Sequence, residues 1–184
     1  MTRKFVLSAA AVAALGLVSA HNVLASGINV TPSQDATALV KALIGNNSDV
    51  TLVPGSATIV SNTVGSDATS ASTGAFDSAT FLPFKSGVVL SSGKATGVAG
   101  PNTTDSNTTD YSAPGDSDLD KIVTPSTTND ASVLQFQFTT TKSQISFQYV
   151  FGSEEYNEFV NSEFNDVFAF FLNGKNIALI PGIG

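Results

Sequence analysis

The sequence predicts a mainly β protein, an antiparallel β-sandwich of jelly-roll type with one short helix near its N-terminus. Residues 134–138 and residues 145–151 each alternate apolar with mostly polar side chains. Such alternation is typical of antiparallel strands with one buried and one solvated face. Residues 167–172 are continuously apolar and are followed by Asn173-Gly174, the strongest short signal for a hairpin turn. The last fifty residues are therefore expected to hold four strands.

The one predicted helix follows a capping-box pattern in residues 31–34. Thr31 would be its N-cap, with Pro32 at the first helical position. Apolar residues then recur at helical spacing over residues 36–43. Gly45 stands where a C-terminal cap is expected.

The rest of the chain reads as strand or loop. Strands are predicted over residues 50–53, 58–64 and 87–90, and a returning hairpin strand over 176–180. Residues 91–130 are rich in Ser, Thr, Asn, Asp and Gly. We therefore expect a long surface loop there, and long loops are often functional.

The first 25 residues have the three parts of a secretory signal peptide. Arg3 and Lys4 precede an uncharged apolar run over residues 5–18, which is too short for a bilayer core that needs about 20 residues. Cleavage is predicted after Ala25, or alternatively after Ala20. Residues 26–184 then form one domain, with no transmembrane segment, secreted or held at the cell surface.

Composition excludes several function classes. The 184 residues contain no Cys and one His, and 15 acidic residues outnumber 8 basic ones for a net charge of −7. Disulfides, thiol chemistry, a multi-His metal site and a Ser-His-Asp triad are therefore not expected. Nucleic-acid binding is also not expected, because it needs a basic surface.

The densest candidate site is an acidic segment between two predicted strands. Five carboxylates and three carboxamides lie within residues 154–166, and such crowding is unfavourable without a neutralising charge. Ca²⁺ takes six to eight oxygen ligands of these types. The predicted calcium ligands are Glu154, Glu155, Glu158, Glu163, Asn165 and Asp166. The alternative is a loop whose carboxylates are simply solvated.

A second acidic cluster supplies Asp116 and Asp118 as further candidate calcium ligands. Together with Asp120 they have the spacing that begins an EF-hand loop, but Lys121 and Thr127 stand where that loop needs Gly and Glu. If this segment is extended, its aspartates lie on one side. A turn-rich polar loop is the alternative reading, and the two clusters would share an ion only if the fold brings them together.

Catalysis is the least favoured use of these carboxylates. Glu155 paired with Glu163 or Asp166 would fit the paired acids of a glycoside hydrolase. However, the chain has no Trp and only three Tyr to form sugar-binding platforms. We predict no catalytic residues.

Residues 151–172, with the run SEEY, EFV and FNDVFAFFL, followed by NIALIPG at 176–182, closely resemble the choice-of-anchor L domain of bacterial secreted and surface proteins. The agreement continues upstream in the GVVLSSG run at 87–93 and the GDSDL run at 115–119. Family members continue with further strands and a variable anchor, so the resemblance implies that this domain is incomplete at its C-terminus.

The resemblance implies a location at the cell surface and carries no catalytic residue with it. We therefore expect a non-enzymatic domain for adhesion, matrix or envelope-surface interaction, with a surface polysaccharide or another surface protein as partner. The alternative is a calcium-dependent, lectin-like carbohydrate-binding module.

Overall fold

The computed structural model describes residues 2–10, 28–46, 49–77, 82–100, 109–153 and 166–178. These residues form two antiparallel sheets. The larger sheet has the order β3-β7-β1-β8-β9, with β4 also pairing to β7. Its strands are β1 (Thr2–Ala10), β3 (Val50–Leu52), β4 (Thr58–Val60), β7 (Ser132–Thr140), β8 (Val167–Leu172) and β9 (Lys175–Asn176).

The smaller sheet has three strands in the order β2-β5-β6. They are β2 (Asn29–Pro32), β5 (Thr73–Asp77) and β6 (Gly87–Leu90). The mainly β class and its antiparallel pairing are thus as predicted. β6 has the predicted bounds, whereas β2 and β5 were not predicted as strands.

The main core lies between the two sheets and helix α1 (Ala36–Ile44). Its buried members include Leu39 of α1, Leu134 and Phe138 of β7, and Phe170 of β8. Three side chains of the smaller sheet pack against this cluster, namely Ala75, Val88 and Leu90. Burying a large apolar side chain contributes roughly 1.5–3 kcal/mol, so this cluster holds the sheets together.

Helix α1 begins at Ala36, four residues later than its predicted first residue, Pro32. Its N-cap is Asp35, whose Oδ1 accepts from the backbone N–H of Ala38 at 3.0 Å. The predicted cap Thr31 is wrong, because residues 29–32 pair with β5 as β2. Gly45 ends the helix as predicted, with φ of 62° and its N–H donating to the carbonyl of Lys41.

The hairpin predicted at Asn173-Gly174 is confirmed. Both residues have positive φ, 53° and 81°, as a two-residue turn of type I′ requires. The returning strand covers only Lys175 and Asn176, and residues 179–180 of the predicted strand lie outside the described residues. The predicted strand over 58–64 is also shorter, because Val64 turns back to bridge Asp67.

Within the range 91–130, the described residues 91–100 and 109–130 are more structured than a surface loop. They contain a 3₁₀ turn at Ala95–Ala99 and a short helix, α2 (Ser117–Asp120). Ser91, Ala95, Leu119 and Asp130 are buried. The polar composition was misleading because these few buried side chains anchor the segment.

Residues 145–151, predicted as a strand, are not in a strand. Their apolar side chains are partly exposed, with Ile145 at 39% and Tyr149 at 44%. The position between β7 and β8 is instead taken by β1, which lies within the predicted signal peptide. Cleavage of that peptide remains a prediction. Within the described ranges, no helix combines the length and the apolar character needed to cross a membrane.

Candidate functional site at the acidic corner

Helix α2 packs against the start of β8 through one side chain. Leu119 is fully buried in a cluster with Val167, Ala169 and Phe171. Asp166 directly precedes Val167, and Asp116 directly precedes α2. The fold therefore brings the second acidic cluster and Asp166, the last residue of the first cluster, to one region, which we call the acidic corner and define as Asp116, Asp118, Asp120 and Asp166.

Asp116 is the N-cap of α2. Its Oδ1 accepts from the backbone N–H groups of Asp118 and Leu119, at 3.0 and 3.1 Å. An aspartate at this position satisfies the first unpaired donors of the helix and is typically worth about 1 kcal/mol. Because Ser117–Asp120 is helical, the extended arrangement with three aspartates on one side is wrong.

Asp118 lies on the exposed side of α2. Its Oδ1 forms an ion pair with Nζ of Lys121 at 2.7 Å, and both side chains are more than half exposed. The carboxylate raises the pKa of Lys121, first by its hydrogen bond and then by its charge. A pair this exposed adds little to stability, because water and salt screen the two charges.

Asp120 connects α2 to the following turn. Its Oδ1 accepts from the backbone N–H of Thr128 at 2.6 Å and from the hydroxyl of Thr128 at 2.8 Å. These two hydrogen bonds, the backbone one first, hold the pKa of Asp120 below its ordinary value. Both hydrogen bonds favour the charged carboxylate, and they fix the turn that follows α2.

Asp166 connects the corner to the two ends of the predicted acidic segment. Its Oδ2 accepts a short hydrogen bond from the hydroxyl of Ser153, thirteen residues earlier. Both residues are half-buried. The hydrogen bond thus holds together the residues that flank segment 154–165.

The other predicted ligands cannot be placed. Glu154, Glu155, Glu158, Glu163 and Asn165 lie outside the described residues. Among the residues that the structure does describe, no three acidic or histidine side chains come together as a metal-binding group. The described part of the corner consequently does not by itself form a metal-binding group.

Sequence reasoning missed a buried acidic residue next to the corner. Asp130 is 8% exposed, and its two oxygens accept from the N–H groups of Tyr111 and Ala113 at 2.9 and 2.7 Å. The Tyr111 hydroxyl donates to the carbonyl of Ser70. Burial, and secondarily the charge of Asp130, raises the pKa of Tyr111 to about 12. These contacts span seventeen residues or more, so no local motif indicates them.

The fold and the corner define a small, acidic, all-antiparallel domain with its polar turns at one end of β8. The family model of the choice-of-anchor L domain matches residues 28–184, and the chain belongs to this family. Membership indicates a bacterial surface-associated or secreted protein. No curated protein and no solved structure matches this chain.

Proposed function

We propose that this chain is a non-enzymatic domain exported by a bacterium, that it works in adhesion to matrix or envelope surfaces, and that Ca²⁺ stabilises it at the acidic corner. The observation that carries the calcium proposal is the packing of Leu119 against Val167. This packing brings α2, which Asp116 caps, to the strand that Asp166 directly precedes. The export and adhesion parts rest on family membership.

The charge balance supports a bound cation. Segment 154–165 adds four glutamates to the aspartates of the corner, and Lys121 is the only basic residue between positions 95 and 141. That lysine already pairs with Asp118. Like charges this close disfavour one another unless a cation neutralises them. A divalent ion with six to eight oxygen ligands would do so.

The hydrogen bonds at the corner are compatible with an added ion. Those described use Oδ1 of Asp116, Asp118 and Asp120 and Oδ2 of Asp166, while a carboxylate offers about four acceptor positions. The same groups can therefore hold α2 and contribute oxygens to Ca²⁺. A carboxylate already fixed by backbone N–H groups also loses less conformational freedom on binding.

The test is thermal unfolding of the exported protein with millimolar Ca²⁺, with Mg²⁺ and with EDTA. A ligand at 100 times its Kd adds about 2.7 kcal/mol. For a domain of this size, the midpoint would rise by several degrees. We expect that rise with Ca²⁺ and not with Mg²⁺, since Mg²⁺ demands a smaller, octahedral site.

Matched variants separate calcium binding from structure. Asp166→Ala and Glu155→Ala are expected to abolish the calcium-dependent shift, whereas Ser153→Ala removes the hydrogen bond to Asp166 and keeps the carboxylate. Asp77→Ala, at the exposed end of β5, controls for loss of charge. Equal midpoints in Ca²⁺ and EDTA for the unmodified protein would overturn the calcium proposal and leave a solvated acidic loop.

The partner we propose is a surface polysaccharide or another surface protein. Binding of the exported protein to a glycan panel and to whole cells tests this directly. Calcium-dependent retention on isolated glycans would identify a lectin-like module. Hydrolysis of a polysaccharide that is lost in Glu155→Gln would contradict the non-enzymatic assignment.

A further inference from the structure

The segment that connects β7 to the acidic corner has the pattern of a strand but lies outside the sheet. Residues 144–151 alternate polar with apolar side chains except at Val150. Phe147, Tyr149 and Phe151 are nevertheless 38–44% exposed. Their rings lie on Phe168 and Phe170 of β8, at centroid distances of 4.6–5.1 Å. Exposed aromatic rings in an alternating run suggest a strand that is displaced from its place.

The place between β7 and β8 is occupied by β1. It pairs antiparallel with both neighbours over most of its nine residues. A strand formed by residues 144–151 after a tight turn would also run antiparallel to β7. It would have the direction of β1 and nearly its length. Residues 2–10 and residues 144–151 could therefore each occupy the same position in the sheet, between β7 and β8.

Loss of residues 1–25 would leave that place empty. The facing edges of β7 and β8 would each expose a row of unpaired N–H and C=O groups, and such edges are costly and prone to aggregate. The core side chains Leu134, Phe136 and Phe170 lie on these two strands. In a mature domain without a replacement strand, no strand would thus connect β7 and β8, which carry these core side chains.

We propose that residues 144–151 replace β1 as the central strand of the larger sheet when the leader is removed. This inference rests on the export part of the proposed function and is independent of calcium. In the uncleaved chain, β1 of the signal peptide occupies the central position, so residues 144–151 lie outside the sheet. Signal-peptide removal then completes the fold outside the cell.

The geometry also predicts the register of the new strand. β1 places Phe136 and Leu172 opposite the same residue, Phe5. A hairpin with Thr141 and Lys142 as its two turn residues pairs Phe136 with Phe147. On the other side, Tyr149 then faces Phe170 and Phe151 faces Phe168. Both pairs are already in ring contact, at 4.9 and 4.6 Å.

This register keeps the apolar side chains on the core face. Directly opposed residues in an antiparallel pair point to the same side of the sheet, so Phe147 would join buried Phe136. A register shifted by one residue would send the aromatic rings to solvent. A four-residue turn over 141–144 preserves the faces but instead pairs Phe136 with Tyr149.

Engineered disulfides test the exchange, since the chain has no cysteine of its own. Gln137→Cys with Ser146→Cys places thiols on opposed residues in the predicted register, within the Cα separation that a disulfide tolerates. Gln137→Cys with Gln148→Cys is the matched pair for the four-residue turn. Gln137→Cys with Lys4→Cys reports β1 in place, because these residues are partners in the structure.

In the full chain, retained in the cytoplasm and then extracted for oxidation, we expect a disulfide between the cysteines at positions 4 and 137. In the exported, processed protein, we expect a disulfide between the cysteines at positions 137 and 146. Preferential oxidation of the 137/148 pair would overturn the predicted register. Failure of both 137/146 and 137/148 in the processed protein would overturn the exchange. An exported protein whose mass still includes residues 2–10 would overturn leader removal and the exchange together, whatever its response to calcium.

Hydrogen exchange provides a measurement without substitutions. Amides of residues 144–151 are expected to exchange on the order of 100-fold more slowly in the processed protein than in the full chain, since sheet amides exchange only through opening. Equal rates in the two forms would contradict the exchange even if the cysteine variants failed to fold.

Discussion

The hydroxyl groups of Ser72 and Ser132 lie 2.7 Å apart with both residues fully buried. Ser132 has one hydroxyl proton, and it donates to the carbonyl of Ser91 at 2.6 Å. Ser72 is therefore the donor in the serine pair, and its oxygen accepts from the N–H of Asn62 at 2.8 Å. The resulting chain of hydrogen bonds joins β7 to the segments that flank β5 and β6.

Ser132→Ala is expected to destabilise the protein by about 1–3 kcal/mol. The substitution removes the acceptor of the Ser72 hydroxyl and a donor to the Ser91 carbonyl, and buried polar groups left without partners are costly. Chemical unfolding measures the loss. Ser56→Ala provides the matched control, because that hydroxyl also bonds to backbone but is only half-buried. A loss no greater than that of Ser56→Ala would contradict the hydrogen-bond chain.

Leu119→Ala is expected to cost about 2–5 kcal/mol, the usual range for a large-to-small change in a core. The side chain is fully buried against Val167, Ala169 and Phe171. Because it also holds α2 against β8, the variant is expected to weaken the response to calcium. The exposed neighbour Ile122, at 45%, serves as the control, and Ile122→Ala is expected to change stability by less than about 0.5 kcal/mol.

The alternating and hairpin patterns predicted the fold class because they encode which face of a strand is buried. β7 shows this directly, since residues 134, 136 and 138 are buried and Gln137 is exposed. β5 was missed because its sequence, Thr73–Asp77, has a glycine, an alanine and one large apolar residue. Its strand state depends on pairing with β2 and β6, which local sequence does not encode.

The candidate site was predictable in its residue types but not in its arrangement. The acidic clusters were evident, whereas the buried cluster that brings α2 to the start of β8 joins Leu119 and Val167, which lie 48 positions apart along the chain. The predicted helix start failed for a related reason. Both Thr31 and Asp35 are good caps, and β2 pairing decides between them.

Tyr111 gives a prediction for alkaline pH. Its folded pKa is raised to about 12, above the ordinary value near 10. Its contribution to stability is thus fully present below pH 10 and is lost as the pH rises through 12. Tyr111→Phe loses the hydrogen bond to Ser70 and is expected to be less stable than the parent at pH 7, by about 0.5–1.5 kcal/mol.

Comparing the two proteins across pH tests this account. The stability difference between parent and Tyr111→Phe is expected to shrink steadily above pH 10, because only the parent has this phenol to ionise. Lysine deprotonation affects both proteins alike. A difference that stays constant up to pH 12 would show that the phenol is not held neutral by its surroundings.

Asp120 gives the opposite prediction at acid pH. Hydrogen bonds from Thr128 lower its pKa in the folded state. Its contribution to stability is therefore present above the ordinary aspartate pKa and is lost as the pH falls through the lowered folded value. Asp120→Asn is expected to flatten the loss of stability below pH 4. Asp49 is a half-buried aspartate that pairs with Lys142, and Asp49→Asn controls for general charge effects. Equal flattening in both variants would contradict a specific role for Thr128.

Gly115→Ala is expected to destabilise the turn next to the acidic corner. A Cβ atom at this position would collide with the main-chain carbonyl oxygen and the hydroxyl of Thr128. The main-chain oxygen cannot move aside as a flexible side chain would, so the cost is expected at about 1–3 kcal/mol, as for other overpacked sites. Since Thr128 also bonds to Asp120, the displaced turn would reduce the calcium-dependent rise in the unfolding midpoint as well.

Gly55→Ala is the control that separates the steric collision at Gly115 from the cost of placing alanine in a backbone conformation that favours glycine. Gly55 has φ of 72° and open space around its Cβ position, so alanine there costs only the left-handed conformation, about 1 kcal/mol. It lies before β4, away from α2, and should leave the response to calcium unchanged. If both variants lost equal stability and both kept the full calcium shift, the close approach of Gly115 to Thr128 would have no part in shaping the corner.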